Sequence, residues 1–172
     1  RARKEQQQLQ ASVLKMAAAV SASTGTEFFV QLARNMAEAL GAQVGCVGRL
    51  LPCHEGEKQR LMTLALVVND TLVPNVDYEM EHTPSMALLS QRQHVVTHDL
   101  AAQYPLSPIV GKLQAEGYAG QQLYDSAGNP TGVIFVLFRQ RLTQADFVAS
   151  PLQIFATRAS AEIERQSADA HI

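Results

Sequence analysis

The sequence predicts an α+β domain built on an antiparallel sheet, and three observations lead there. Within residues 117–139, two runs of strand-forming residues flank the turn Asp125-Ser126-Ala127-Gly128-Asn129-Pro130, the pattern of a β-hairpin. The second run, Val133-Ile134-Phe135-Val136-Leu137-Phe138, is apolar throughout, so this strand is expected to be covered on both faces at the centre of a sheet. Strand candidates also cluster between helical ends, joined by short turns rather than regular βαβ crossovers, which selects antiparallel pairing.

The elements follow in order. Residues 5–22 read as a helix, with Leu9, Val13, Met16 and Val20 on a coiled-coil-like seam. That seam is too short to be stable alone, so it continues upstream, pairs with a second copy, or docks on its own domain. Ser23-Thr24-Gly25-Thr26 interrupts the helix, and Thr26 is expected to cap the next one. There Phe29, Leu32, Ala33, Met36, Ala37 and Leu40 recur on one face, and Gly41 is the stop. Residues 42–51 and 61–68 read as strands around a polar turn at 52–59, with a further turn at Asn69-Asp70. The segment 71–79 is ambiguous; Tyr78, Met80 and His82 alternate as on a short strand. Thr83-Pro84 signals a short helix, 94–97 a short strand, and Asp99 a cap for residues 100–103. Ser107-Pro108 opens another helix, which Gly117 ends. Thr143 is expected to cap the last helix, running from about residue 144 beyond Arg165, with Phe147, Leu152, Phe155, Ala156, Ala159 and Ile163 on its apolar face. Pro151 lacks an N–H donor and should kink or restart that helix.

Composition narrows the function classes. At 172 residues and 47% apolar, the chain can fill the core of one domain. Only 17% is charged, which suggests that a partner covers part of the surface. A formal net charge of −2 and scattered basic residues give no nucleic-acid footprint. No apolar run approaches the roughly 20 residues of a membrane span, so no membrane contact by this segment is expected. The chain starts at Arg1 and reads as a segment of a longer, cytoplasmic protein. Two cysteines, Cys46 and Cys53, are too few for a disulfide framework and fit a reducing compartment.

The string from Thr83 onward resembles the second half of a GAF domain. The resemblance rests on Thr83-Pro84, on Val95 to Asp99, and on Tyr104-Pro105. It continues in Gly117-Tyr118-Ala119-Gly120 with Leu123, in the hairpin from Asp125 to Val136, and in Phe155-Ala156 with Glu162 and Glu164-Arg165. The N-terminal half matches more loosely through Phe28-Phe29, Leu32 and Ala39-Leu40-Gly41-Ala42. What the resemblance implies is a GAF/PAS-like sheet of about six strands, with terminal helices on one face and short helices and loops on the other. It divides the chain into an N-terminal signalling and dimerisation helix (1–22), a GAF domain (23–166) and a tail towards a missing downstream domain (167–172). It also implies a non-catalytic sensory module of a bacterial histidine kinase or cyclic-di-GMP enzyme. A small ligand would then sit between the sheet and the 71–117 layer.

On that reading the ligand site is expected at Tyr118, Tyr78, Ser85, Met86, His82 and Tyr104. A tyrosine offers apolar area and one hydrogen bond, and Ser85 stands at a helix start, where free N–H groups suit an anion. A homodimer through the terminal helices is expected to use Leu9, Val13, Met16, Val20, Phe155, Ala159 and Ile163. Bilin-binding members attach the pigment through a cysteine near the segment matching Ser107-Pro108-Ile109-Val110. None stands there, so no covalent bilin is expected; the cofactor, if any, is unknown. The N-K…F…D-E pattern of cyclic-nucleotide binders is missing, as is the full cysteine set of members that reduce methionine sulfoxide. His94 and His98 on one strand would stand about 13 Å apart at roughly 3.3 Å per residue, too far to share an ion at bonds of about 2.0–2.1 Å. Two other readings stay open. One is a ligand-free dimerisation spacer whose hollow is filled by Met80, Met86, Leu88 and Leu89. The other is a redox sensor using Cys46 and Cys53.

Overall fold

A computed structural model describes residues 25–170. The predicted helix at 5–22, with Leu9, Val13, Met16 and Val20, lies outside the described residues. Helix α1 (Gly25–Leu40) leads into strands β1 (Val44–Leu50), β2 (Arg60–Val68), β3 (Thr71–Val73) and β4 (Asp77–Glu79). A 3-10 helix (Pro84–Leu89), strand β5 (Gln93–Val96) and short helices α2 (Leu100–Gln103) and α3 (Pro108–Leu113) follow. The chain closes with the hairpin β6 (Gly117–Tyr124) and β7 (Pro130–Phe138), then helix α4 (Asp146–Ala170).

All strand pairs are antiparallel, in the order β3-β2-β1-β7-β6-β5, with β4 also on β2. Strands β3 and β4 pair with opposite ends of β2, so seven segments fill six positions. The expected α+β class and antiparallel sheet are what the chain forms.

Alternation along β7 builds two cores. Ile134, Val136 and Phe138 face α1 and α4, where Phe28, Phe29, Leu32, Met36, Leu152, Phe155, Ala159 and Ile163 are buried. Val133, Phe135 and Leu137 face the short connectors, with Cys46, Leu61, Leu66, Met80, Leu88, Leu100, Val110 and Tyr118. Burial of each large apolar side chain contributes about 1.5–3 kcal/mol, so β7, buried on both sides, anchors the fold. Phe155, Ala159 and Ile163, expected at a dimer seam, are spent in the protomer's own core. Beyond Pro151, the described residues that α4 leaves exposed are Gln153, Thr157, Arg158, Ala161, Arg165 and Ala168.

Local chemistry sets the boundaries, not always as expected. Gly41 takes φ +70° after α1, and the Ala42 N–H reaches the Ala37 carbonyl at 2.8 Å, the closing bond of a Schellman cap. Asn69 and Asp70 both have positive φ, as a two-residue hairpin turn between β2 and β3 requires. Asp125 Oδ1 accepts the N–H groups of Ala127 and Asn129 and so shapes the β6–β7 turn. Thr26 lies inside α1 rather than capping it. Asp99 holds the N-cap position of α2 as expected, but in the left-handed region, with no capping bond from its side chain and its N–H on the Glu116 carboxylate. Helix α4 starts at Asp146, and Pro151 sits inside it, in the second turn, without ending it.

Candidate functional site

The sheet face opposite the long helices carries a cavity of about 550 Å³. Its floor is a row across three strands: Leu66 on β2 pairs with Cys46 on β1, which pairs with Phe135 on β7. These side chains share a face because each is directly opposite the next in register. A β-bulge at Leu64 sets the β2 contribution. Val47 pairs with Ala65 but Gly48 with Thr63, so Leu64 has no partner on β1 and the parity of β2 flips across it. Leu61 and Thr63 before the bulge, and Leu66 after it, therefore all face the cavity side.

The wall is made by the connectors. Val76 and Tyr78 come from the β3–β4 segment, Thr83 from the approach to the 3-10 helix, and Leu106, Ser107, Pro108 and Ile109 from the α2–α3 junction. Leu106 is 66% exposed and stands at the entrance with the exposed Val76. The Thr63 hydroxyl donates to Asn75 Oδ1 and accepts the Val76 N–H, which fixes the β3–β4 segment to β2. Ser107 is 2% exposed, lines the cavity, and its Oγ has no hydrogen-bond partner. The Tyr78 hydroxyl also makes no hydrogen bond among the described residues, and burial raises its pKa well above the ordinary phenol value, so it remains a proton donor.

Charge is confined to the rim and is already paired. Arg60 reaches Asp77 and Glu79, while Lys58 lies 2.8 Å from Glu81 and 4.0 Å from Glu79. Three carboxylates thus face two cations, with His82 beside them in the left-handed region.

The predicted ligand residues separate into three groups. Tyr78 and His82 line the cavity. Tyr118 and Ser85 lie behind it: the hydroxyls share a 2.8 Å hydrogen bond, and the Tyr118 ring stacks on Phe135 with centroids 5.6 Å apart. Both are buried, so the Ser85 hydroxyl is committed inward rather than open to an anion. Met86 is 44% exposed outside the cavity, and Tyr104 pairs its hydroxyl with His94 Nε2 at 3.3 Å. Burial lowers the His94 pKa and keeps that ring neutral. Sequence reasoning used Ser107 as a helix-start signal and, with Ile109, as part of the segment matching the bilin attachment point, but named neither of them, nor Phe135 or Thr63, for the ligand site. Only sheet register and the fold of the connectors bring them together. Met80 and Leu88 are fully buried and do fill the space beside Tyr118, but the cavity remains next to them.

Cys46, on the floor, is completely buried, and burial pushes its thiol far above the ordinary cysteine value. A thiol held protonated is a poor nucleophile and redox partner. Cys53 is exposed in the β1–β2 turn; both cysteines are free, and no redox pair forms. No cluster of three or more metal-ligating side chains occurs among the described residues. No helix there is long and apolar enough to cross a membrane. A second hollow, about 520 Å³, lies between α4 and the ends of β5 and β6. Its polar groups are largely bonded to each other: Ser126 to Glu164, the Tyr124 N–H to Ser160, and Arg92 to Gln122 while stacked on Tyr124.

No family model matches the chain, and no curated protein matches it. Solved structures do. The GAF domain of an Acinetobacter phosphoenolpyruvate-protein phosphotransferase superimposes with a TM-score of 0.72 at 13% identity, over 96% of this chain and 98% of that one. The phycocyanobilin-bound GAF domain of a cyanobacterial phytochrome gives 0.69 at 10% identity, over 95% and 98%. The GAF domain of A. aeolicus nlh2, in an inactive state, gives 0.65 at 11% identity, over 92% and 99%. The fold of this chain is that of a GAF domain.

Proposed function

We propose that this chain is a non-catalytic regulatory module of a larger signalling protein, binding a small molecule between the sheet and the 71–117 layer. The observation that carries this reading is the apolar cavity of about 550 Å³, floored by Leu66, Cys46 and Phe135 and lined in part by Ser107, whose buried hydroxyl has no partner. Small-molecule sites typically enclose roughly 300–1,000 Å³, mostly apolar with a few placed polar groups. The described residues hold no nucleophile–base pair in the cavity: its cysteine is a buried thiol, and both rim cations are held by carboxylates. The cavity wall is built from short connectors, while α1 and α4 pack on the opposite face of the same strands. A ligand that prefers one packing of the wall would bias the helices through the sheet, by no more than its differential affinity for the two states. The proposed output is a change in how two copies pair through their terminal helices, in a parent of histidine-kinase or cyclic-di-GMP type.

Native mass spectrometry of freshly purified chain, with thermal shifts across a metabolite library, tests this. A retained small molecule or a stabilising metabolite is expected, and the cavity-filling variant Ile109→Trp should lose it. A clean apo mass with no shift from any metabolite would leave the ligand-free spacer as the reading, which the buried Met80 and Leu88 favour.

A further inference from the structure

The cavity's chemistry narrows what it takes. We propose that its ligand is a neutral, largely apolar compound carrying one hydroxyl or carbonyl group that pairs with Ser107 Oγ. The inference rests on the ligand-binding reading above and assigns its class.

Three observations carry it. The floor and much of the wall are apolar: Leu66, Cys46, Phe135, Val76, Ile109 and Leu106. The cation that lines the cavity, Arg60, is held by Asp77 and Glu79, and neighbouring Lys58 by Glu81. An anion would therefore enter past three carboxylates and find no free positive charge, and a buried charge without a partner is strongly unfavourable. A cation fares no better on the floor: the rim carries one carboxylate more than its two cations, but Leu66, Cys46 and Phe135 offer a charge seated on them no partner. The third observation is the buried Ser107 hydroxyl without a partner. Such a group costs free energy unless something bonds it, and Ser107 is one of the residues that line the cavity, so a turn about its side-chain torsion is the step that would bring Oγ to a ligand. The Tyr78 hydroxyl offers a second donor on the same wall.

Three probes sharing one ring system test the class on the full chain: 2-naphthol, naphthalene and 2-naphthoate, at neutral pH. Naphthyl fluorescence reads binding directly, because the chain has four tyrosines and no tryptophan. The expected result is 2-naphthol binding at least tenfold more tightly than 2-naphthoate. Ser107→Ala should weaken 2-naphthol by roughly two- to tenfold, the range for one net hydrogen bond, and leave naphthalene unchanged. That variant removes a hydroxyl with no internal partner, so the fold should be retained. Ile109→Trp should abolish binding of all three. If 2-naphthoate binds as tightly as 2-naphthol and Ile109→Trp removes it, the neutral class is overturned while the cavity remains a ligand site. An equal loss of 2-naphthol and naphthalene in Ser107→Ala, or no loss of either, overturns the pairing with Ser107. Failure of all three probes to bind the wild-type chain overturns the class, while a clean apo mass with no thermal shift from any metabolite is what overturns the ligand-binding reading.

Discussion

Tyr118 shows how a single backbone position decides what a side chain is for. On β6, residues 118 and 120 share a face, and Gly120 leaves the space that Tyr118 folds into. A Cβ at Gly120 would lie 2.3 Å from the Tyr118 hydroxyl oxygen and 2.8 Å from a Leu88 methyl. The ring therefore lies flat along the strand, stacked on Phe135 and tilted against His94, and its hydroxyl ends on Ser85. Burial raises the Tyr118 pKa, against the lowering effect of the Ser85 bond, so the hydroxyl is a permanent neutral donor or acceptor. Removing either partner strands a buried polar group. We expect Tyr118→Phe and Ser85→Ala each to cost about 1–3 kcal/mol in urea denaturation. The double variant should cost less than the sum, leaving a coupling of at least about 0.5 kcal/mol. Additive costs would mean that the pair does not act as one unit.

At the scale of elements, Glu162 joins the two long helices. Its side chain is 8% exposed. It accepts the Gly25 N–H at 3.0 Å, at the first turn of α1, where helical N–H groups lack internal partners. Arg165, one turn on in α4, donates through Nε at 3.1 Å and through its terminal nitrogen at 2.6 Å. The Arg165 hydrogen bond lowers the Glu162 pKa most; desolvation opposes it, and the Gly25 N–H adds to the lowering. A lowered folded-state pKa means stability that is present above the unfolded value of about 4.3 and lost as pH falls through the folded one. Glu162→Gln should therefore cost about 1–3 kcal/mol at pH 7, and the gap to wild type should close as pH falls below the unfolded value and through the lowered folded one, read by denaturant midpoints at each pH. A gap of constant size would show that the charge is immaterial. Much at this scale was legible from the residues. The β6–β7 hairpin, the Asn69-Asp70 turn and the Gly41 stop each follow from local backbone chemistry. The β2 bulge was not, because Leu61 to Val68 is apolar but for Thr63, so no alternation breaks at Leu64, and no Gly or Pro marks it. Nor was the assignment of the Phe155 face: an apolar stripe on a helix is the same signal whether it meets a sheet or another copy.

Across the whole molecule, stability is distributed unevenly, and the candidate site lies where it is lowest. Strands β2, β6 and β7 are eight or nine residues long, and the long helices cover one face. Between residues 71 and 116 each element has only three to six residues, and β3, β4 and β5 sit at the sheet margins. Few ladder bonds and short elements make segments that open without global unfolding. Hydrogen exchange read by mass spectrometry should then separate two classes of peptide. Amides of β1, β6 and β7 should exchange only at the global unfolding limit, while those at 74–83 and 104–113 should exchange at least tenfold faster through local opening. A ligand seated on Leu66, Cys46 and Phe135 touches the wall that opens, so saturating 2-naphthol should slow the second class by suppressing local opening, and the first through the added global stability. Uniform protection before ligand would mean the connectors are as firm as the sheet, and the cavity would then have no moving wall through which to signal.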